Sequence, residues 1–550
     1  MEDRRNIVLA ILLSALILFG WPYVAGWIFP TPEAQSGDVA KPNVAAPAGN
    51  PDVVAPPSRA AVRSLDAALG DGPRIRIATP KLAGSLALKG ARIDDLLLTR
   101  HRVGVDRDTP PVRLLSPAGT ERAYFSRFGW ASTDTPVPDE NTLWQASGQR
   151  LTPETPVTLS WDNGAGVTYQ IVFAIDRDYL ITATQRVTNR GPKPVRLTPY
   201  GLVTRTGMSA DHDSWNIHVG PVGVFGGSAD YDWDYTDLTD TSVTEKPEWT
   251  TTGGWLGFGD LYWLTALVPD QTKPANVRFR GAGNVYQAEM TGAQQAVAPG
   301  RVATTSTRLF AGAKEVDVLD RYEEAGIVQM DLAIDWGWFI WIEKPFFWIL
   351  DHLFKLFKNF GLAIMGLTLI VRLALFPIAQ RQFQSMAQLR AVAPKMKALQ
   401  DRHKDDKPKL QQEMMQLYKD EKVNPLGGCL PIFLQIPIFF ALYKLLMLTI
   451  EMRHQPFALW IRDLSAPDPA HILNLFGLLP FTPPAFLGIG VLAVLLGLTM
   501  WAQQKLNPPP TDPVQAQVFA IMPWMLMFVM APFAAGLLLY WITNNILSIA

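Results

Sequence analysis

The chain has 550 residues, with 49 Lys and Arg against 50 Asp and Glu and a formal net charge of −1; this excludes a general polyanion binder and leaves room for two or three domains. Its single cysteine, Cys429, excludes intrachain disulfides and Cys-rich metal sites. No GxxxxGK[ST], HExxH or GxSxG occurs, so P-loop ATPases, zinc proteases and serine hydrolases lose their usual signatures, and nothing calls for a metal or cofactor.

Those totals average two unlike halves, soluble-like over 74–320 and apolar over 336–550. After MEDRRN comes IVLAILLSALILFGWPYVAGWIF, 23 residues without a charge. That is longer than the apolar core of a secretory signal and suits a spanning helix of about 20 residues. Segment 1–29 is therefore read as an uncleaved transmembrane anchor, with Arg4 and Arg5 favouring an inside N-terminus. Residues 30–73 are rich in Pro, Ala and Gly and read as a disordered linker.

From 74 to 320 the hydrophobic period is two. VTYQIVFAIDRDYLITATQRVTNRG reads as paired strands ending at an Asn-Arg-Gly turn, and LAGSLALKGARIDDLLLTRHR behaves similarly. Many short strands at regular spacing predict an all-β sandwich. It follows an outward-going span, so it is expected outside the membrane. His212 and His218 lack tight metal spacing and are read as structural.

In 336–360, WGWFIWIEKPFFWILDHLFKLFKNF, a polar stripe of Lys344, Asp351, Lys355 and Lys358 runs along an otherwise aromatic and aliphatic helix. That pattern predicts an amphipathic helix lying in the membrane interface. The membrane core is expected over 361–550. Its first span is GLAIMGLTLIVRLALFPIA, followed by spans near 429–450, 485–504, 514–531 and 533–550, the last two divided at Pro532. With the anchor this gives six spans and both termini inside. Ten Lys and Arg in loop 381–428 against two in loop 451–484 place the former in the cytoplasm.

That loop reads as a helical hairpin over 381–424, its second arm opened by Pro408. Met386, Leu389, Met396 and Leu399 on one arm face Leu410, Met414 and Leu417 on the other. Basic residues cover the outside, either as a solvated face or for contact with anionic headgroups or ribosomal RNA.

Arg372 stands near the middle of the first core span, where a cation costs about 2.5–3.5 kcal/mol on insertion scales. Voltage sensors repeat their arginines, and the other core spans contain no Asp, Glu or His. The remaining polar groups at depth are mild: Thr368, Gln435, Tyr443, Tyr540, Thr543, Asn544 and Asn545. Thr368 and Arg372 are one turn apart on one face. An unpaired arginine in a water-filled groove is the reading that survives.

TLIVRLALFP, QQEMMQLYKDEKVNPLGG, NPLGGCLPIFLQIPIFFALYKLL and AGLLLYWITNN, in that order and at those separations, resemble the YidC family of membrane protein insertases over about 336–550. The β-rich part resembles that family's Gram-negative periplasmic supersandwich, a galactose-mutarotase-like shape. The resemblance implies a multi-pass protein of the bacterial inner membrane, both termini cytoplasmic, with a hydrophilic groove open to cytoplasm and lipid. It implies that Arg372 and Thr368 are groove residues beside Gln435 and Tyr540, and that Ile436, Phe439 and Trp541 meet passing substrate helices. Implied partners are nascent membrane proteins, the ribosome, the Sec translocon with its accessory subunits, and the bilayer. The sequence runs to Ala550 without the basic tail many members carry, so either it is a piece of a longer chain or ribosome contact rests on the hairpin alone.

No bond is made or broken in such a process, so the expected function is not enzymatic. Two other readings stand beside it. One is a channel or transporter for an anionic solute with Arg372 as its selectivity charge. The other is a carbohydrate-binding or epimerase module on a membrane anchor, which five core helices exceed in need.

Overall fold

The computed structural model describes residues 62–106, 108–211, 217–240, 242, 247–403, 406–421, 430–476, 479, 481, 488–506 and 513–549. The expected anchor and most of the linker lie outside these, as do His212, Cys429 and the side chains of Met386 and Leu389.

Two sheets, of eleven and nine strands among the described residues, form the β-domain, antiparallel except where Arg150–Leu151 pairs in parallel with Arg74–Ala78 at an edge. Strands Val167–Ile175 and Leu180–Asn189 pair as the alternation predicts, with Ile181 opposite Ile175. The inward residues of the first, Val167, Tyr169, Ile171 and Phe173, are buried while their neighbours are not. The sheets pack face to face through aromatic contacts such as Phe128 on Phe173, with ring centroids 6.2 Å apart. Asn189 closes the Asn-Arg-Gly turn, donating to the Lys193 and Val297 carbonyls and accepting from the Gly191 N–H. Strands Leu82–Ala87 and Arg92–Arg102 pair around a bulge at Ser85. There Gly84 adopts a φ of 154°, and a Cβ on it would stand 1.9 Å from the Asp95 carbonyl oxygen.

Both edges of this domain differ from the expected boundaries. Residues 62–73, assigned above to the linker, fold instead. Ser64 Oγ accepts from the Ala67 N–H and opens helix α1 (Leu65–Leu69), the Arg63 N–H donates to the Gly119 carbonyl, and Ala68 is buried. At the other end helix α2 (Val316–Glu324) crosses residue 320. It stays with the β-domain because Tyr322 donates to Asp176 and accepts from the Tyr179 N–H, and because Arg321 pairs with Asp178.

The helical part contains α3 (Ile340–Phe357), α4 (Phe360–Arg402), α5 (Lys407–Asp420), α6 (Leu430–Leu448), α7 (Val491–Leu506), α8 (Pro513–Met530) and α9 (Ala535–Ile549). Helix α3 presents Trp341, Trp348 and Leu356 outward and packs its other face on α4 and α6. Helix α4 is one continuous helix of 43 residues. The sequence reading ends a span at residue 379 and starts a separate arm. Pro377 and Pro394 each remove one backbone donor, and the helix runs through both. Pro532 does mark a break, between α8 and α9.

Segment Phe360–Gln382 is long and apolar enough to cross a bilayer by itself; Leu434–Leu448, Val491–Leu506, Ala516–Met530 and Ala535–Ile549 are shorter apolar helices. At 1.5 Å per residue the 15 residues of α9 extend about 22 Å, against a hydrocarbon core of about 30 Å. Beyond α4's apolar part, Met396 is buried against Met414 and Leu417 of α5, and Lys395–Glu421 and His403–Glu413 pairs join the two arms.

Candidate functional site

Helix α9 carries a polar stripe at four-residue spacing, Tyr540, Asn544 and Ser548, flanked by Thr543 and Asn545. Residues four apart share a helix face, and all of these except Ser548 are buried. Three neighbouring helices each bond to α9. From α4, Arg372 Nη2 donates to Ser548 Oγ at 2.7 Å and to the Asn544 carbonyl at 3.3 Å. From α6, Gln435 Nε2 donates to the Tyr540 hydroxyl at 2.7 Å. Asn545 Nδ2 donates to Thr499 Oγ1 of α7 at 3.1 Å.

Arg372 is therefore not unpaired, which corrects the reading made from sequence. Its partners are neutral, and that distinction matters. Ser548 gives its proton to the Asn544 carbonyl, which leaves its oxygen lone pairs free to accept from the guanidinium. These bonds orient the cation without neutralising it, and Arg372 Nε has no partner among the described residues. The side chain is partly exposed. A full positive charge thus remains at the site.

Thr368 behaves differently. It is wholly buried, and its hydroxyl donates to the Ile364 carbonyl one turn back at 2.7 Å. The shared face that links Thr368 to Arg372 in sequence leads from bundle interior to seam, so Thr368 supports the arginine's helix from inside.

The apolar residues lie next to the seam. Ile436 is 46% exposed. Phe439 packs edge-on against Trp541, with centroids 5.6 Å apart at 82°, and lies nearly parallel to Tyr443 at 6.4 Å. Trp541 Nε1 is buried without a partner among the described residues. Together they make an apolar and aromatic strip along α6 and α9 beside the arginine.

Sequence reasoning missed two features. Ser548 was legible as the next member of the 540–544 spacing. Lys444 lies in α6 and makes Arg372 not the only core cation. It is buried and donates to Asp335 at 3.2 Å, close against Gly337. Across from it Glu343 of α3 has no solvent exposure, and neither carboxylate oxygen has a partner among the described residues. Burial pushes the Glu343 carboxyl up to about 8, against the opposing pull of Lys444. The signal lay in the tertiary contact of α3 with α6, which a one-dimensional pattern does not carry.

The β-domain is fastened to the same end of α6. Val316, the first residue of α2, donates its N–H to Glu451 Oε1 at 2.9 Å. Its own N-cap, Glu315, makes no capping bond because that carboxylate is engaged by Lys81, Tyr179 and His101. Arg453 donates to the Arg102 carbonyl at 2.9 Å and lies over the rings of Tyr262 and Trp263. Among the described residues no cluster of His, Cys, Asp and Glu is arranged to hold a metal.

An apolar helical bundle with a polar seam around one arginine, joined to a two-sheet β-domain, defines a membrane protein whose site is a seam and not an enclosed pocket. Residues 74–349 match the family model described as the YidC periplasmic domain, and residues 352–550 match the 60Kd inner membrane protein. The membrane protein insertase YidC of Zymomonas mobilis is 46% identical over 100% of this chain and 94% of its own length. The protein of the same name from Methylobacterium radiotolerans is 45% identical with the same coverage. A solved structure described as an active YidC insertase with the first transmembrane domain resolved covers 88% of this chain and 94% of that one, at 18% identity and a TM-score of 0.38. The chain belongs to the YidC family of membrane protein insertases, a family of inner-membrane proteins.

Proposed function

We propose that the seam between α4, α6 and α9 is the groove through which this insertase admits polar stretches of nascent membrane proteins. Each unsatisfied polar group in hydrocarbon costs several kcal/mol, and a polar path partway across the membrane removes part of that barrier. The observation that carries the reading is Arg372 held by neutral partners, Ser548 and the Asn544 carbonyl. A charge oriented this way attracts an acidic client segment and releases it, because no permanent counter-ion has to be displaced. The membrane potential then favours outward movement of each negative charge by about 2.3 kcal/mol per 100 mV. The client's apolar segment leaves along Ile436, Phe439 and Trp541 into lipid, driven by burial.

The same reading takes 1–29 as the first of six spans with both termini cytoplasmic, α3 as an interfacial helix, and the α4–α5 hairpin as the contact for the ribosome. The Sec translocon is a partner that would receive or pass on larger clients. Gln435 and Tyr540 keep the inner wall of the seam polar.

Site-specific photo-crosslinking tests the path. A photoreactive residue at Ile436 is expected to capture a stalled single-span client, and one at Val518, exposed on α8, is not. Equal capture at both positions would remove the seam from the account.

A further inference from the structure

The loop that follows α6 and precedes α7 is built inside out. From Ile472 to Gln504 the sequence contains no charged residue and no histidine, yet the described residues before Val491 are not helix. Its base is firm. The buried Asp468 accepts from the Trp460 indole N–H at 2.9 Å and the Ala470 N–H at 3.0 Å, and its other oxygen accepts from the Leu492 N–H at 2.8 Å, capping α7. The Ile472 N–H bonds to the Ile489 carbonyl, that of Phe476 to His471 and that of Leu479 to Asn474.

The side chains on this frame are inverted relative to a water-facing loop. Asn474, the polar one, turns inward and is 6% exposed, while Leu473, Leu475, Phe476 and Phe481 are each at least half exposed. Leu475 and Phe476 take left-handed backbone, with φ of 51° and 62°, a conformation disfavoured for bulky residues. In water this arrangement would combine backbone strain with exposed apolar area and gain nothing. The exposed strip continues along α7 through Leu495, Leu498 and Trp501, an apolar face left uncovered by the described residues. Leu459, 90% exposed and also left-handed at φ 57°, projects from the neighbouring turn, whose Trp460 bonds to the same Asp468.

We infer that the described part of this loop, Ile472–Phe476 and Phe481 together with Leu459, is a wedge seated among the lipids of the leaflet nearest the β-domain. The inference rests on the proposed topology for which leaflet it enters. Its occupant is lipid, because polar groups satisfied inside with apolar groups presented outside is the arrangement of an interfacial membrane element.

The test uses the full chain in liposomes of phosphatidylethanolamine and phosphatidylglycerol, without a client, so its outcome is independent of insertion activity. In a Cys429→Ser background, Phe476→Cys carries an environment-sensitive fluorophore, and Val302→Cys, exposed on the β-domain, is the reference. Leu473→Cys repeats the measurement in case the first label perturbs the turn. Lipids with a nitroxide near the headgroup end of the acyl chain are expected to quench the loop label about threefold more than the reference, and aqueous iodide about threefold less. Iodide quenching equal to the reference would place the loop in water. Protection from both quenchers would mean that protein, a second copy included, covers it. Either result overturns the inference.

Discussion

Arg372 keeps its charge and donates two hydrogen bonds from one nitrogen. Lysine retains the cation but reaches fewer acceptors, and alanine removes both. Arg372→Lys is therefore expected to keep insertion of an acidic-tailed client within about threefold of the parent, and Arg372→Ala to lose about tenfold or more, a difference above 1.4 kcal/mol. Equal loss in both, measured as initial insertion rate, would replace electrostatics by geometry. Glu451 gives a second prediction. Its Oε2 is buried without a partner among the described residues, and burial pushes its carboxyl up to about 8. The folded state then holds a proton that the unfolded chain releases near its ordinary value of 4.5, so stability falls as pH rises from about 4.5 to about 8, with at most about 1.4 kcal/mol per pH unit. Glu451→Gln keeps an acceptor for the Val316 N–H. It should flatten that slope and raise the thermal midpoint at pH 9, leaving it nearly unchanged at pH 4. At this scale the sequence was readable where a charge interrupts an apolar helix, as at Arg372 in α4. It was silent where a partner arrives from another element, as Asp335 does for Lys444.

The element on which the site depends is α9, since α4, α6 and α7 each meet it by a side-chain bond. Hydrogen bonds between membrane helices are worth about 0.6–1.7 kcal/mol. Asn545→Leu, which removes the donor to Thr499 while Thr499 keeps its own bond to the Leu496 carbonyl, should therefore lower the thermal midpoint by about one to three degrees in detergent while leaving the Arg372 contacts in place. The hairpin is held by apolar packing of Met396 on Met414 and Leu417. Met396→Asp with Met414→Asp should splay its arms and abolish ribosome co-sedimentation, whereas neutralising Lys397 alone should change little. Elements with a clear period were legible in sequence: the alternating strands of 167–189, the amphipathic α3, and the division at Pro532. The continuity of α4 was not, because the change from apolar to charged composition near residue 381 alters the helix's surroundings and not its backbone hydrogen bonding. The fold of 62–73 was hidden by a Pro- and Ala-rich surround in which a serine cap and one buried alanine decide the outcome.

Across the whole molecule, the β-domain meets the helical part at several places, among them Glu451, Arg453 and the Lys444–Asp335 pair near one end of α6, Arg462 on Asp106 and Lys355 of α3 on Asp317, while Arg372 and Ser548 lie on α4 and α9. Deleting 62–324 while keeping 336–360 is expected to leave insertion of a simple client within about threefold, since α3 still fixes the height of α4, where one helical turn is 5.4 Å. Removing 336–360 as well should abolish it at equal membrane abundance. The central claim is that a polar seam with an uncompensated arginine moves a client without chemical energy. The measurement that meets it most directly is insertion of a short single-span client with an acidic tail into liposomes holding the purified full chain, without nucleotide and with an imposed inside-negative potential referenced to the side bearing the hairpin. The account predicts insertion that rises with the potential for the acidic tail, not for a neutral one, and that falls with Arg372→Ala. Insertion that required nucleotide, or that was indifferent to tail charge and to Arg372, would contradict it.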